Sequence, residues 1–409
     1  MASPRVLIVG GGIGGCALAL SLHDAGIDDV RIIEATAEQR ELGVGINLLP
    51  HAVRELTELG LGSALEHIGV RTGELSYHNR FGQEVWWEPR GIAAGYRWPQ
   101  YSVHRGRLLL MLVRAVGERM GASTIELGRR IATSELDALR DETGADVVVA
   151  CDGVHSALRP HLAPNEGPPL WNGVTMWRGT TLGAPFLGGK RMIVAGVLAK
   201  RIVVYPIGSL PDGRHVINWV AEVRTEDGRP MPKQDWNAAV DIAEPLEHFR
   251  EFTFDWLDVP ALIANAEEVL RYPMVDRDPL PAWRAGNLTL LGDAAHPMYP
   301  VGSNGASQAI LDARVLAREL ATQPSVGDAL DAYEAERRPA TAAIVLSNRQ
   351  AGPERCLELV AERAPNGFDR LHDVISAQEL EEMAASYRRM AGFDPQTLNE
   401  RPSWSVSRR

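Results

Sequence analysis

The chain has 409 residues, 45% of them hydrophobic and 23% charged, with a formal net charge of −11. That is enough apolar material for roughly two or three domains, and the acidic balance excludes nucleic acid as a main partner, because phosphate binding needs a basic face. Cys16, Cys151 and Cys356 lie far apart and form no C-x-x-C pair. This argues against a disulfide framework or a zinc site and for a reducing, cytoplasmic setting.

In chain order, Arg5 to Gly10 is a short β-branched run and Ala17 to Gly26 has a helical pattern with a glycine stop. The first apolar run follows an arginine as a signal peptide would, but glycines interrupt it, and neither secretion nor a membrane span is expected. Val30 to Glu34 is a second strand, completing a βαβ unit. Val103 to Gly121 reads as a long helix. Asp146 to Gly153 and Asn287 to Asp293 are continuous apolar strands of the buried parallel kind. Between them, from Val174 to Glu222, four strand-like runs separated by Gly, Pro, Asp and Lys predict an inserted antiparallel sheet. Ala306, Ala309, Ile310, Ala313, Leu316, Ala317 and Leu320 share one helical face. After about Thr341 the chain is mostly helical, then fades into a polar tail.

Gly10, Gly12 and Gly15 form G-x-G-x-x-G directly after a strand and before a helix. Glycine allows the tight turn and the close approach of backbone to a pyrophosphate, and the helix start offers free N–H groups. Glu34 ends the next strand 19 residues beyond Gly15, placed for ribose hydroxyls. This loop alone does not separate NAD from FAD, since both carry adenosine diphosphate.

Two further segments, CDGVHSALR from Cys151 and LGDAAHPMYPVGSNGASQA ahead of the amphipathic helix, follow the later buried strands. With the glycine loop, in this order, they resemble the group A single-component flavoprotein aromatic hydroxylases, the p-hydroxybenzoate hydroxylase-like family. The resemblance covers about residues 4 to 345. GVGINLLPHAV, YSVHRGRLL, VTMWRG and YPMVDRDPLP resemble its phenazine-modifying branch. One departure is the short stretch between Ile125 and Asp146, where the family carries a longer β-meander. Trimming at the edge of the cofactor domain accounts for it.

The resemblance implies an α/β fold: a Rossmann-like FAD domain (1–75, 98–165, 280–345), an inserted antiparallel substrate domain (76–97, 166–279) and a helical C-terminus (346–409). It implies FAD, with NADH or NADPH as co-substrate, and hydroxylation of an electron-rich aromatic by O2 through a C4a-hydroperoxyflavin. A phenazine or phenazine carboxylate is the expected substrate, with loss of carbon dioxide if the carboxyl-bearing carbon is attacked. Another aromatic substrate, a nicotinamide dehydrogenase and a non-catalytic flavin sensor are the alternatives, and the chain is expected to act as a monomer or homodimer.

Position by position, Gly10, Gly12, Ile13, Gly14 and Gly15 would hold the pyrophosphate, and Glu34 with Ala35 the adenosine ribose. Arg40, Gly45 and Arg105 would line the cofactor, joined by Asp152 and Gly153. Gly292 and Asp293 would meet the ribityl chain, and Asn304 and Gly305 the flavin edge at a positive helix start. Pro300 and Gly302 would position flavin and substrate without a side-chain base. Trp177, Arg178, Tyr205, Trp219, Met298 and Tyr299 are the candidate substrate walls, suited to a flat ring. His296, three residues after Asp293, invites an acid/base reading, but the resemblance gives it only a scaffold role. No metal constellation is visible.

Overall fold

Val6–Val9 is buried at every position and lies inside a six-stranded sheet. In the computed structural model, which describes residues 3–41, 43–225 and 239–406, this strand pairs in parallel with Val30–Ile33 and with Val147–Ala150. Leu288–Leu290 and Ile125–Glu126 extend the sheet, also in parallel, and Arg284–Ala285 closes one edge antiparallel. The continuous apolar strands read from the sequence take these places, as a covered parallel sheet requires. Ile13–Asp24 is buried along most of its length because it packs against both Gly305–Thr322 and Arg105–Met120. The short stretch after Ile125 makes a two-residue strand and the helix Leu136–Thr143 before the chain re-enters the sheet.

The second sheet has seven strands, in the order Val269–Asp276, Leu170–Gly183, His215–Arg224, Lys200–Ser209, Arg191–Val197, Glu74–His78 and Glu84–Pro89. Its four middle runs match the expected antiparallel insertion, while Glu74–His78 joins parallel to Arg191–Val197. Side chains alternate along these strands, so the two faces bury different residues. Trp177, Val204 and Trp219 point to one face, covered by Phe249 and Ile263. Met176, Tyr205 and Val220 point to the other, beneath Cys356, Leu357 and Val360 of the C-terminal segment.

Gly45–Leu48, Gln100–His104 and Gly69–Thr72 form a small antiparallel sheet whose strands meet Lys200–Ser209, joining the two larger sheets. The expected C-terminal boundary at residue 346 falls inside the helix Val326–Arg349, which is followed by Arg355–Arg363, Ala377–Met390 and Pro395–Glu400. Among the described residues, no helix is long and apolar enough to cross a membrane.

Candidate active site

The glycine loop is packed to its limit. Gly10 has φ +109°, and a Cβ there would lie 2.4 Å from the Cys151 carbonyl oxygen. A Cβ on Gly15 would lie 2.0 Å from the Gly10 carbonyl oxygen, and one on Gly14 2.8 Å from Leu291. Strand, turn and helix are thus pressed together in the way a dinucleotide loop needs. Gly12, which precedes Ile13 at the helix start, differs: a Cβ there would meet nothing within 4 Å. The positive end of that helix therefore opens onto free space.

Glu34 reaches back to this loop, accepting from the Gly11 N–H at 2.7 Å and the Thr36 N–H at 2.8 Å, with Ala35 half-buried beside it. Arg40 does not join them. Its guanidinium meets Glu38 at 2.8 Å and is 66% exposed. Gln39 turns inward instead, donating to the Gly11 carbonyl at 3.0 Å, while its buried Oε1 has no partner among the described residues. Sequence reasoning passed over it because a neutral amide beside a charged arginine is the less conspicuous phosphate contact.

The opposite wall comes from the turn after Leu288–Leu290. The Asp293 carboxylate is reached by solvent although protein surrounds it, and no hydrogen bond engages it among the described residues. Burial raises its carboxyl above the usual range, and the charges of His296 and Arg105 pull it partly back. Arg105, exposed at the start of Arg105–Met120, has no ion pair among the described residues. Asp293 Oδ1 is also the nearest atom to a Cβ built on Gly305, at 4.0 Å, so the start of Gly305–Thr322 is open as well. Asp152 closes a turn by accepting from the Ala157 N–H at 2.7 Å, its second oxygen buried without a partner, and Gly153 faces open space at φ +80°.

These donors and acceptors fit FAD. Two open helix starts suit its negative charge, Glu34 and Asp293 can accept from hydroxyls, and the unpartnered Gln39 and Asp152 oxygens await a donor.

Asp293 and His296 are not a pair. His296 Nε2 lies 2.6 Å from Asp312, whose carboxylate also accepts from Arg337 at 2.7 Å and from the Gly292 N–H at 3.1 Å. Burial raises the Asp312 carboxyl, but His296 and Arg337 outweigh it and hold it below the ordinary value. From Arg337 the network runs to Gln308 at 2.5 Å, Asn304 at 3.3 Å and the Tyr387 hydroxyl at 2.9 Å. Asn304 is wholly buried in it, so its side chain serves this network and not the cleft expected for it. The sequence did carry a signal: Gln308 and Asp312, four residues apart, share one side of the helix next to its apolar face.

Gly302 has φ +66°, and a Cβ there would lie 2.2 Å from the Tyr387 hydroxyl. The glycine thus makes room for an aromatic ring of the protein, beyond any room it leaves for a cofactor. Pro300 is exposed, and its carbonyl closes the turn by accepting from the Ser303 N–H at 3.2 Å. Beside Gly302 and Ser303 lies a small cavity whose apolar walls include Leu75, Met192 and Val194. None of the six expected substrate residues lines it.

The reasons differ. Trp177 and Trp219 face the other side of the sheet, since a period of two sends them into the core against Phe249 and Ile263. Arg178 and Tyr205 face the right side but both donate to the Gly45 carbonyl, at 2.9 and 2.8 Å. Asn218 accepts from the Gly45 N–H at 2.6 Å and would collide with any Cβ there, so Gly45 is clamped by the substrate sheet. Met298 packs against the buried cluster that includes Leu49, Tyr96 and Phe393. Tyr299 lines a separate and roomier cavity with Asn348, Arg224 and Arg349.

The FAD binding domain family model matches residues 4–348. The chain belongs to the FAD-dependent group A aromatic hydroxylases. It is 45% identical over 361 residues to a phenazine 1,6-dicarboxylic acid hydroxylase of Lysobacter antibioticus, covering 84% of this chain and 89% of that protein. It is 32% identical to a salicylate hydroxylase of Pseudomonas putida, covering 82% and 81% of the two chains. Among solved structures, a salicylate hydroxylase substrate complex superposes with a TM-score of 0.72 at 22% identity, covering 100% of this chain and 99% of that one. Klebsiella pneumoniae HpxO complexed with FAD and uric acid superposes with a TM-score of 0.72 at 23% identity, covering 97% of each. This hydroxylase is therefore a flavoprotein monooxygenase that takes a small aromatic substrate, O2 and NADH or NADPH.

Proposed function

We propose that this hydroxylase acts on a phenazine-class ring bearing a carboxylate, bound in the cavity beside Gly302. The observation that carries the reading is the cavity, whose Leu75, Met192 and Val194 walls suit a flat apolar ring while Arg90 and Arg388 supply positive charge. The 45% identity to a relative named for phenazine 1,6-dicarboxylic acid supports the same substrate class. The protein acts as a monomer or homodimer in the cytoplasm.

Bound FAD supplies the electrons taken from NADH or NADPH and the activation of O2. Glu34, Gly12, Arg105, Asp293 and Gly305 would hold it along the cleft, and the Gly302–Ser303 turn would set the distance to the ring. The work of the chain is then to orient the ring and keep water away from the reacting atoms. No base is needed at the attacked carbon. Tyr77 and Tyr387, which line the cavity, are pushed up by burial and stay neutral. When the new C–O bond forms, the same carbon sheds either its proton or, where it bears the carboxylate, carbon dioxide. The electron pair of the broken bond restores aromaticity.

The test is turnover by the FAD-loaded protein with phenazine-1-carboxylate, phenazine-1,6-dicarboxylate and salicylate, following NADH and NADPH oxidation and product mass. Phenazine acids gaining a hydroxyl, with or without loss of the carboxyl, is the expected result. Efficient turnover of salicylate with none of either phenazine would overturn the substrate class.

A further inference from the structure

We propose that Arg90 and Arg388, bridged by Glu88, are the residues that read the substrate's carboxylate and set a preference for aromatic acids over their uncharged congeners. The proposal rests on the substrate cavity assigned above and adds the groups that select for charge within it.

The three residues come from distant parts of the chain. Glu88 lies on Glu84–Pro89, Arg90 directly follows that strand, and Arg388 lies on the C-terminal helix Ala377–Met390. All three line the cavity beside Gly302. Glu88, 7% exposed, accepts from Arg90 Nη2 at 2.5 Å through one oxygen and from Arg388 Nη1 at 2.6 Å through the other. Two guanidinium groups thus share one carboxylate, leaving an excess positive charge at the wall. Arg388 also donates to Glu381 at 2.8 Å, but that carboxylate is largely in solvent, where an opposite charge compensates little.

The other charges facing the cavity do not cancel this excess. Glu354 is paired with buried Arg201 at 2.7 Å, which in turn meets Glu222 at 2.7 Å. Burial first of all raises the Glu354 carboxyl, to about 7, so it is only partly ionised near neutrality, and its charge is met by Arg201.

Unmet hydrogen-bonding groups lie on residues of the same cavity. The Arg90 Nε is buried without a partner among the described residues, and so is Oε1 of Gln100, a residue only 2% exposed. Buried polar groups in a folded chain are normally satisfied; a carboxylate, which only accepts, would meet the Arg90 donor, while the Gln100 oxygen calls for a donor. A planar guanidinium fork matches a carboxylate in geometry as well as in charge. Arg178, the arginine that sequence reading put forward for this task, is held on the Gly45 carbonyl and does not line the cavity.

The experiment compares phenazine-1-carboxylate with phenazine on the FAD-loaded protein, by perturbation of flavin absorbance and by kcat/KM. The unaltered chain should prefer the acid. In Arg388→Met and Arg90→Met the acid-over-phenazine ratio should fall roughly tenfold or more, the scale of one charge-assisted hydrogen bond, and Arg388→Lys should recover part of it. Glu88→Gln removes the competing anion and should move the other way, tightening the acid selectively.

A ratio unchanged within about twofold in both methionine variants, or a Glu88→Gln that weakens acid and phenazine alike, would overturn the proposal. Equal binding of the two ligands by the unaltered chain would overturn it while leaving the substrate class intact. Binding of neither removes the substrate class and this proposal together. If a methionine variant fails to load FAD, Arg388→Lys and Glu88→Gln still give opposite predicted signs.

Discussion

The cofactor cleft and the substrate cavity are built in opposite ways. The cleft is assembled from turns that each follow one buried strand of a single sheet, at Gly10, Glu34, Asp152 and Asp293. The cavity is assembled from Leu75 and Met192 on neighbouring strands together with Arg90, Gln100, Gly302 and Arg388, which come from distant parts of the chain and share no single motif. A diphosphate needs the same backbone geometry in every member of such a fold, so it leaves a spaced glycine signature. A substrate needs a shape, and any set of side chains that converges on it will serve.

The contrast breaks first at the glycine loop. Gly10→Ala should abolish FAD retention, because a side chain at φ +109° would also lie 2.4 Å from the Cys151 carbonyl. The flavin-to-protein absorbance ratio after purification checks this, and a normal ratio would show that the cleft tolerates what its packing forbids.

Next come the buried bonds that tie cleft to cavity. Arg337→Met leaves Asp312 with His296 and the Gly292 N–H only, both on one oxygen, and strips Gln308 of a partner. Breaking a buried pair in this way costs about 3–5 kcal/mol, readable as a lower urea midpoint. Tyr387→Phe removes one hydroxyl from the cavity end of the network, where it meets Asn304 at 2.9 Å and Asn348 at 3.0 Å. It should cost about 1–2 kcal/mol and raise KM for the aromatic while FAD affinity holds.

The pH dependence should be asymmetric. His51 is fully buried, and burial followed by the charges of Arg337 and Arg401 lowers its imidazole from 6.5 to about 3. The unfolded chain therefore binds the extra proton between those values, and stability should fall as pH drops from about 6.5 towards 3, by up to about 1.4 kcal/mol per unit for this one group. Urea midpoints across that range for the parent and His51→Gln should converge on the acid side. Parallel curves would remove His51 as the cause.

The smallest effect is expected at Arg40, whose partner Glu38 is also in solvent. Arg40→Ala should change FAD affinity less than about twofold, whereas Gln39→Ala should weaken it several-fold, measured by titration of the apoprotein.

The same contrast explains what could be read beforehand. The parallel strands, the glycine loop and the turn holding Asp293 were legible because each is a local pattern of five to ten residues with a fixed physical purpose. The inserted sheet was legible as alternating runs, but its facing was not. Trp177 and Trp219 are aromatic and suit a ring, yet strand parity turns them to the opposite face. Arg178 and Tyr205 have the correct parity, and a single backbone carbonyl at Gly45 claims both. The Asp–His pair suspected at Asp293 exists one helix away, at Asp312, because a turn sends successive side chains in different directions. Arg388 lies 300 residues from Glu88 and no spacing rule connects them.

The most direct test of the whole account is the fate of O2. The FAD-loaded protein, given NADH or NADPH, phenazine-1-carboxylate and isotopically heavy O2, should place one heavy oxygen atom in the hydroxylated ring for each reductant consumed. Reductant oxidation that yields only hydrogen peroxide and leaves the ring unlabelled, under conditions where the acid perturbs the flavin spectrum, would contradict it.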